Sequence, residues 1–340
     1  SIVAVVFALF MGVLCVLFKH KSLLLTGLLF ISISALGCGL ASNFTIMLIS
    51  YSLTGLTIAI VVPMTITLVG ENFPLEKRAN AIGWVVAGMS LSYLIGAPII
   101  GFIAGLGGWR MTFLIFVLPI SILSFLLVVI GLPSPSSSRQ PVMSNGSYLE
   151  GFKEIFSKRS ATACLFGIAL SAAAWQAILL YSTSFFRQQF RVSTDFATVI
   201  LAVAALCYTS GSLIGGRFVK RFGGKTLTVL GCFLLGTFII SYTNLPNLWL
   251  SLALTCLGTF FAGIRYTAAS SLTLEQVPRF RGTMMSIYSA ADNMGTAFGA
   301  GLGGLVLLLY NYELVGISLG AIGIAAAIIF YILVTDPTRA

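Results

Sequence analysis

Charged residues are scarce in this sequence. Only 8% of its 340 residues are charged, whereas soluble domains carry about 25% charged residues. A chain of this composition cannot cover a water-facing surface with ionised side chains, so a soluble globular protein is excluded. The 58% of hydrophobic residues and the mean hydropathy of +1.04 indicate a protein embedded in the lipid bilayer.

The groups that enzymes and metal sites use are also few. The single histidine, His20, lies between Lys19 and Lys21, where a solvated loop is expected. The six cysteines lie in apolar stretches and form no C-x-x-C pair, which indicates packing rather than disulfides or metal sites. No paired carboxylates and no H-E-x-x-H motif are present. The sequence therefore predicts no catalytic residue, no metal and no cofactor, and a protein that is not an enzyme.

The net charge of +10 does not point to a nucleic-acid partner. Nucleic-acid-binding proteins carry their basic residues as a stripe or patch, often with interleaved aromatics. Here the basic residues form short clusters between long apolar runs, which is where a membrane protein keeps them. No nucleic-acid partner is predicted.

Apolar runs long enough to cross a bilayer fill most of the chain. A helix rises 1.5 Å per residue, so about 20 residues span the hydrocarbon core. Eleven such spans are predicted, at 1–18, 22–41, 45–69, 80–106, 110–132, 161–182, 196–215, 226–243, 248–273, 283–309 and 314–334.

The basic residues between the spans set the predicted orientation. If the segment 133–160 faces the cytoplasm, fifteen Lys and Arg residues lie inside and only Arg110, Arg187 and Arg191 lie outside. This excess fits the positive-inside rule. The expected location is therefore the plasma membrane, crossed many times, with loop 133–160 and the C-terminus in the cytoplasm.

A Pro/Ser-rich linker divides the chain. Residues 133–147 have nothing to bury, and residues 148–158 place apolar side chains on one helical face and charged ones on the other. This pattern predicts a short helix lying on the inner membrane surface. The predicted domains are an N-terminal helical bundle (1–132), a cytoplasmic linker (133–160) and a C-terminal helical bundle (161–340).

The two bundles repeat each other in sequence. Positions match at an offset of about 204, and of 203 after a one-residue slip; the matches include Gly12 with Gly216, Glu71 with Glu275, Pro74 with Pro278 and Arg78 with Arg281. An ordered series at one spacing indicates an internal repeat. By the same arithmetic roughly 45 residues would precede Ser1. We therefore expect an all-α protein of two pseudo-symmetric bundles, truncated before its first helix, with eleven of twelve spans present.

Loop and helix motifs resemble those of one transporter family. The stretch from Gly216 through Lys220, Arg221 and Gly223 to Lys225 is similar to the signature between helices 8 and 9 of the major facilitator superfamily. The acidic and basic residues after helices 4 and 10 resemble that family's paired loops. The motif of Gly96, Pro98 and Gly101 is similar to the helix-5 motif of its drug:proton antiporter branch.

The resemblance covers essentially the whole chain and implies a function. Members of this family carry small solutes by alternating access, with two bundles around a cavity at the bilayer midplane. The sequence departs from the family pattern in three places. Apolar residues follow Leu14 where the first-half loop signature has Asp and Arg, and Lys220 stands where the second copy has Asp. Tyr51 stands where the antiporters keep an Arg, four residues before Gly55.

Two ionisable residues lie inside predicted spans. Such residues are costly in a bilayer and are functional candidates by default. Arg265 lies ten residues before Glu275, and Asp292 lies ten residues after Gly282, so both are about 15 Å from the same membrane face. They form either a structural ion pair between the spans 248–273 and 283–309, which are the family's helices 10 and 11, or a site for a substrate or coupling ion. The resemblance, in which helix 10 lines the cavity, favours a substrate role for Arg265.

Five further residues are candidates for lining the cavity. Trp175 and Gln176 fall in the span 161–182, the family's helix 7, which the resemblance places at the cavity, and Tyr51, Tyr266 and Asn293 are polar residues within spans. Packing is the alternative for each of them. Tyr181 lies near the outer end of helix 7, where an aromatic anchor at the membrane interface is expected.

The predicted function is secondary active transport of a small solute by a monomer. The antiporter-like motif favours proton-coupled export of an amphipathic or drug-like compound. Arg265 favours the alternative, uptake or facilitated transport of a small organic anion. A second alternative is a membrane sensor that keeps the transporter fold without transport.

Overall fold

The computed structural model describes residues 18–132 and 147–337, and over these residues it consists of helices and turns without a strand. The helices, numbered in chain order, are α1 (His20–Gly39), α2 (Phe44–Asn72), α3 (Leu75–Gly107), α4 (Trp109–Gly131), α5 (Ser147–Ser157), α6 (Arg159–Leu179), α7 (Ser182–Gln189), α8 (Thr194–Phe222), α9 (Gly224–Asn244), α10 (Leu248–Gln276), α11 (Arg281–Leu309) and α12 (Tyr312–Leu333).

Ten of the eleven predicted spans are confirmed as helices. Each of these ten regions is long and apolar enough to cross a membrane, and in one of them α6 continues into α7. The predicted span 1–18 and the linker residues 133–146 fall outside the described residues, apart from Phe18. The all-α, polytopic fold class is confirmed. The total of twelve spans and the domain borders at 132 and 160 stay predictions.

The helix positions show the internal repeat directly. Helices α2 and α10 both contain 29 residues, and their first residues, 44 and 248, are 204 positions apart. Helices α1 and α9 begin at 20 and 224, the same separation. Helices α4 and α12 begin at 109 and 312, 203 positions apart, which reproduces the one-residue slip. Three described helices of the first half therefore recur in the second half in the same order.

Polar caps and one glycine fix where the helices of the second half begin and end. The side-chain oxygens of Ser193, Asn247 and Asn311 accept hydrogen bonds from backbone N–H groups at the starts of α8, α10 and α12. These bonds satisfy donors that have no partner within a helix. Gly223 has φ of 84° between α8 and α9, a conformation that glycine adopts without steric cost.

The described residues form two compact units, and the first includes the ends of α1, α2 and α4. Of the described residues, this unit contains 18–71, 95–132, 147–155 and 279–290. The Nδ1 atom of His20 lies 2.6 Å from Oε1 of Glu71, and the His20 side chain is 8% exposed. The ammonium of Lys21 donates to the carbonyl oxygen of Leu132. The expectation of a solvated His20 was wrong, because helix ends converge at this position.

The short helix α5 belongs to the same unit. Its formation confirms the predicted amphipathic helix. A Cβ atom at Gly151 would lie 3.0 Å from the Phe280 ring, and Ile155 is fully buried. Part of the face that was predicted to meet the membrane therefore packs against protein.

The second compact unit contains most of the C-terminal half. Of the described residues, it contains 72–94, 156–278 and 291–337. An aromatic cluster forms part of its core, with the rings of Phe185 and Tyr242 at 5.4 Å between centroids. Tyr181 joins this core: it is 8% exposed, and its hydroxyl donates to the carbonyl oxygen of Ala300 at 2.5 Å. Tyr181 is thus a buried link to α11 and not the interfacial anchor that the sequence suggested.

Candidate functional site

A cavity of about 470 Å³ lies within the second compact unit. Side chains from α3, α6, α8, α10 and α11 form its wall. Most of the lining is apolar; the polar side chains that line it are Ser90, Gln176, Thr259, Arg265, Asp292 and Thr296, together with the aromatic Trp175, Tyr208 and Tyr266. The volume falls within the range of about 300–1,000 Å³ that is typical of small-molecule sites.

Arg265 occupies a buried position on α10 at this cavity. Its side chain is 3% exposed, and one terminal guanidinium nitrogen, Nη1, donates to the hydroxyl of Ser171 on α6. The Ser171 hydroxyl in turn donates to the carbonyl of Ile168 at 2.9 Å, so its oxygen is oriented to accept from the arginine. A Cβ atom at Gly231 on α9 would lie 2.7 Å from the Cβ of Arg265. The absence of a side chain at Gly231 thus lets α9 pack directly behind the arginine.

Asp292 lies on α11 and lines the same cavity. It is partly buried, and its carboxylate interacts electrostatically with the guanidinium of Arg265. The two residues predicted from their depth to meet are therefore neighbours on one wall. Whether this pair carries the function stays a prediction.

An aromatic surface lies beside the charged pair. The rings of Trp175 on α6 and Tyr208 on α8 are 5.3 Å apart between centroids and tilted by 43°. Gln176, the residue after Trp175, is 5% exposed and also lines the cavity. Flat rings of this kind provide contact area for an apolar solute and attract cations through their faces.

The structure adds two residues to the site that were not predicted from the sequence: Ser171, which accepts from Arg265, and Thr296, which lines the cavity. Ser171 lies four residues before Trp175, and Thr296 lies four residues after Asp292, so each shares a helix face with a predicted candidate. This spacing was a signal that could have identified both. Tyr208 had no comparable signal, because the other α8 residues that line the cavity, Leu201, Ala204 and Ala205, are all apolar.

Two sequence candidates are placed elsewhere. Tyr51 lies on α2 in the first compact unit and is 53% exposed. Asn293 follows Asp292 on α11 but is not among the described residues that line the cavity.

The loop-signature residues lie at the end of α8. A Cβ atom at Gly216 would lie 2.7 Å from the carbonyl oxygen of Ala79 on α3, so this glycine permits close helix packing. Lys220 and Arg221 are exposed, and Gly223 forms the turn into α9.

The helix-5 motif lies in the second half of α3. A Cβ atom at Gly96 would make ordinary contact with the Phe116 ring, at 3.9 Å. Pro98 and Gly101 lie within the helical backbone of α3, and the described structure extends no further than the backbone at these two positions.

An ion pair joins the beginning of α3 to the end of α10. The guanidinium of Arg78 donates from Nη1 to Oε1 of Glu275 at 2.6 Å, with side chains 15% and 9% exposed. Arg78 also donates from Nε to the carbonyl oxygen of Phe73 at 2.9 Å. Limited exposure means that water screens this pair less than a surface ion pair.

We expect Arg78→Gln and Glu275→Gln to destabilise the protein non-additively, with a coupling free energy of about 1–3 kcal/mol in a double-mutant cycle. Each single change removes the ion pair and leaves the other charge partly buried. The measurement is thermal unfolding of the purified full-length protein, monitored by the reaction of a dye with Cys164 and Cys232, which are buried in the folded state. Lys77→Gln, a change at an exposed neighbour, is the control; additive effects of the two variants would contradict the expectation.

Comparison with known proteins gives one family and a set of distant relatives. The sequence model described as "Major Facilitator Superfamily" matches residues 1–236 and 164–340. The chain is 25% identical over 300 residues to the uncharacterised MFS-type transporter YceJ of Bacillus subtilis (strain 168), covering 88% of this chain and 76% of that protein. It is 26% identical over 300 residues to Multidrug resistance protein 2 of the same organism, covering 85% and 73%. It is 26% identical over 323 residues to a probable sugar efflux transporter of Pasteurella multocida (strain Pm70), covering 93% and 76%.

Solved structures share the fold at lower identity. The fucose:proton symporter FucP of E. coli aligns with a TM-score of 0.82 at 13% identity, covering 97% of this chain and 87% of that structure. The human organic anion transporter MFSD10 aligns with a TM-score of 0.76 at 16% identity, covering 96% and 81%. At these identities the likeness establishes the fold alone.

Proposed function

The chain belongs to the major facilitator superfamily, and we propose that it is a proton-coupled exporter of amphipathic or drug-like compounds that binds its solute in the cavity beside Arg265 and Asp292. The observation that carries the proposal is that five sequence candidates from three helices line one cavity: Trp175, Gln176, Arg265, Tyr266 and Asp292. A mostly apolar wall with a few polar groups suits an amphipathic solute.

Export is the proposed direction. Two of the relatives are named as a multidrug resistance protein and a probable sugar efflux transporter. The motif of Gly96, Pro98 and Gly101 resembles that of the drug:proton antiporter branch, which also favours export.

Asp292 is the proposed proton carrier. It is the acidic residue among the side chains that line the cavity, and carboxylates within spans typically mark proton relays. A carboxylate that is exposed to the two membrane faces in turn can take up a proton on one side and release it on the other.

The proposed setting is a monomer in the plasma membrane, with loop 133–160 and the C-terminus in the cytoplasm. The basic residues of the inner loops, among them the exposed Lys220 and Arg221, support this orientation because the cytoplasmic leaflet is anionic. The proposed partners are the solute, the proton and the surrounding lipid.

The test uses the full-length protein in sealed vesicles with an imposed pH gradient and an internal pH dye. Dissipation of the gradient on addition of lipophilic cations supports proton-coupled export. Dissipation with small carboxylates alone would overturn it in favour of the organic-anion transport that Arg265 suggests. No response to either, together with no flux of labelled solute, would identify a sensor with a transporter fold.

A further inference from the structure

The charged groups of the cavity form a fixed dipole. Arg265 and Asp292 carry opposite charges, lie on consecutive helices, line the same cavity and interact electrostatically. The Ser171 hydroxyl accepts from the arginine and so holds the positive end in place. In a mostly apolar cavity such a dipole acts more strongly than it would in water, because the surrounding dielectric constant is low.

A dipole discriminates between solutes by how their own charges are arranged. A monovalent cation is attracted by Asp292 but repelled by Arg265, and a monovalent anion meets the reverse. Either therefore gains little net Coulomb energy to offset the cost of leaving water. A solute with both charges can place each one against its opposite, so the two attractions add. Carboxylate is the group that best matches a guanidinium.

The aromatic surface specifies the part of the solute between its two charges. Trp175 and Tyr208 lie on the wall of the same cavity, with ring centroids 5.3 Å apart. A flat apolar body packs against such rings, and an ammonium next to them gains further attraction from the ring faces.

We infer that the preferred solutes are aromatic zwitterions, bound with an anionic group at Arg265, a cationic group at Asp292 and the ring system against Trp175 and Tyr208. The inference rests on the proposed function, since it names the solute class of the same cavity. It also explains how one carboxylate serves both partners: the solute ammonium and the proton occupy Asp292 in turn.

The experiment compares three probes that share a naphthalene ring. They are an aminomethyl naphthoic acid, which is zwitterionic, its methyl ester, which is a cation, and its N-acetyl derivative, which is an anion. Affinity for the purified full-length protein is read from the fluorescence polarisation of the naphthyl group. We expect the zwitterion to bind at least about tenfold more tightly than either relative, because it gains a second charge contact.

Variants assign each charge to its contact. Arg265→Gln should remove the advantage of the zwitterion over the ester, and Asp292→Asn should remove its advantage over the N-acetyl derivative. Ser171→Ala should reduce the first advantage without abolishing it, which keeps the test decisive if Arg265→Gln fails to fold. Arg187→Gln, a change at an exposed arginine outside the cavity, is the matched control and should leave all three affinities unchanged.

Two results would overturn the inference. One is equal affinity of the wild-type protein for the zwitterion and for one of its singly charged relatives. The other is a loss of affinity in Arg265→Gln by the same factor for all three probes, which would make the arginine structural. Proton flux distinguishes failure of this inference from failure of the proposed function. Proton flux driven by the ester, without tighter binding of the zwitterion, refutes the inference and leaves the function intact. Tighter binding of the zwitterion without any proton flux refutes the function alone.

Discussion

Replacing Asp292 by Asn is expected to abolish proton movement driven by solute, reducing the pH-dye response to the level of empty vesicles. The carboxamide has nearly the same shape as the carboxylate but cannot bind and release a proton in the physiological pH range. Since Asp292 is the acidic group that lines the described cavity, no second carboxylate there can replace it. The measurement is dissipation of an imposed pH gradient by a cationic solute, in vesicles with matched amounts of wild-type and variant protein.

Two controls give this result its meaning. Glu313→Gln, the same chemical change at an exposed residue on α12, should retain the full response. Binding of an uncharged amphipathic analogue by Asp292→Asn should stay within about twofold of wild type, because apolar contacts to the aromatic wall are unaffected. Proton movement at the wild-type rate in Asp292→Asn would refute the role of Asp292 as proton carrier.

Much of the fold could be read from the sequence because two signals are strong in membrane proteins. Apolar runs of span length predicted the ten described membrane helices, and the offset of 204 predicted the repeated helix series that α1, α2, α9 and α10 display. The expectation that Arg265 and Asp292 meet rested on two arguments: helix rise places both residues at one depth, and helices that follow each other in sequence usually pack together.

What the sequence missed was decided by tertiary packing. His20 looked like a loop residue between two lysines, yet it is buried against Glu71, which is distant in sequence. Tyr181 had the position of an interfacial aromatic, but the small residues of α11 let it insert and bond to Ala300. The contribution of Tyr208 on α8 to the cavity wall could not be predicted either, because an aromatic residue in an apolar run gives the same sequence pattern whether it faces lipid, core or cavity.

The glycines of α11 lead to the second large effect, since they hold the helix that carries Asp292 against α6. A Cβ atom at Gly295 would overlap the carbonyl oxygen of Ala169, and one at Gly299 would lie 2.6 Å from the Cα of Ala173. The obstructing atoms belong to the backbone, which cannot rotate away as a side chain can. Gly295→Ala must therefore push α11 from α6 and is expected to destabilise the protein by about 3 kcal/mol, the upper part of the range for overpacking.

Gly301→Ala on the same helix should have the opposite sign. Among the described residues, no atom of another element lies within 4 Å of the Cβ that the change would add, and Gly301 is exposed. Since alanine favours a helix by about 1 kcal/mol over glycine, this variant should melt at the same temperature as wild type or higher. The contrast is measured by thermal unfolding of both variants, monitored by the labelling of buried cysteines with a dye. A Gly295→Ala protein as stable as Gly301→Ala would contradict the close packing of α11 on α6.

The two variants should also differ in transport. Gly295 lies three residues after Asp292, so displacement of α11 at Gly295 also moves Asp292. Gly295→Ala should therefore lose the proton-coupled response even where it folds, whereas Gly301→Ala should keep it.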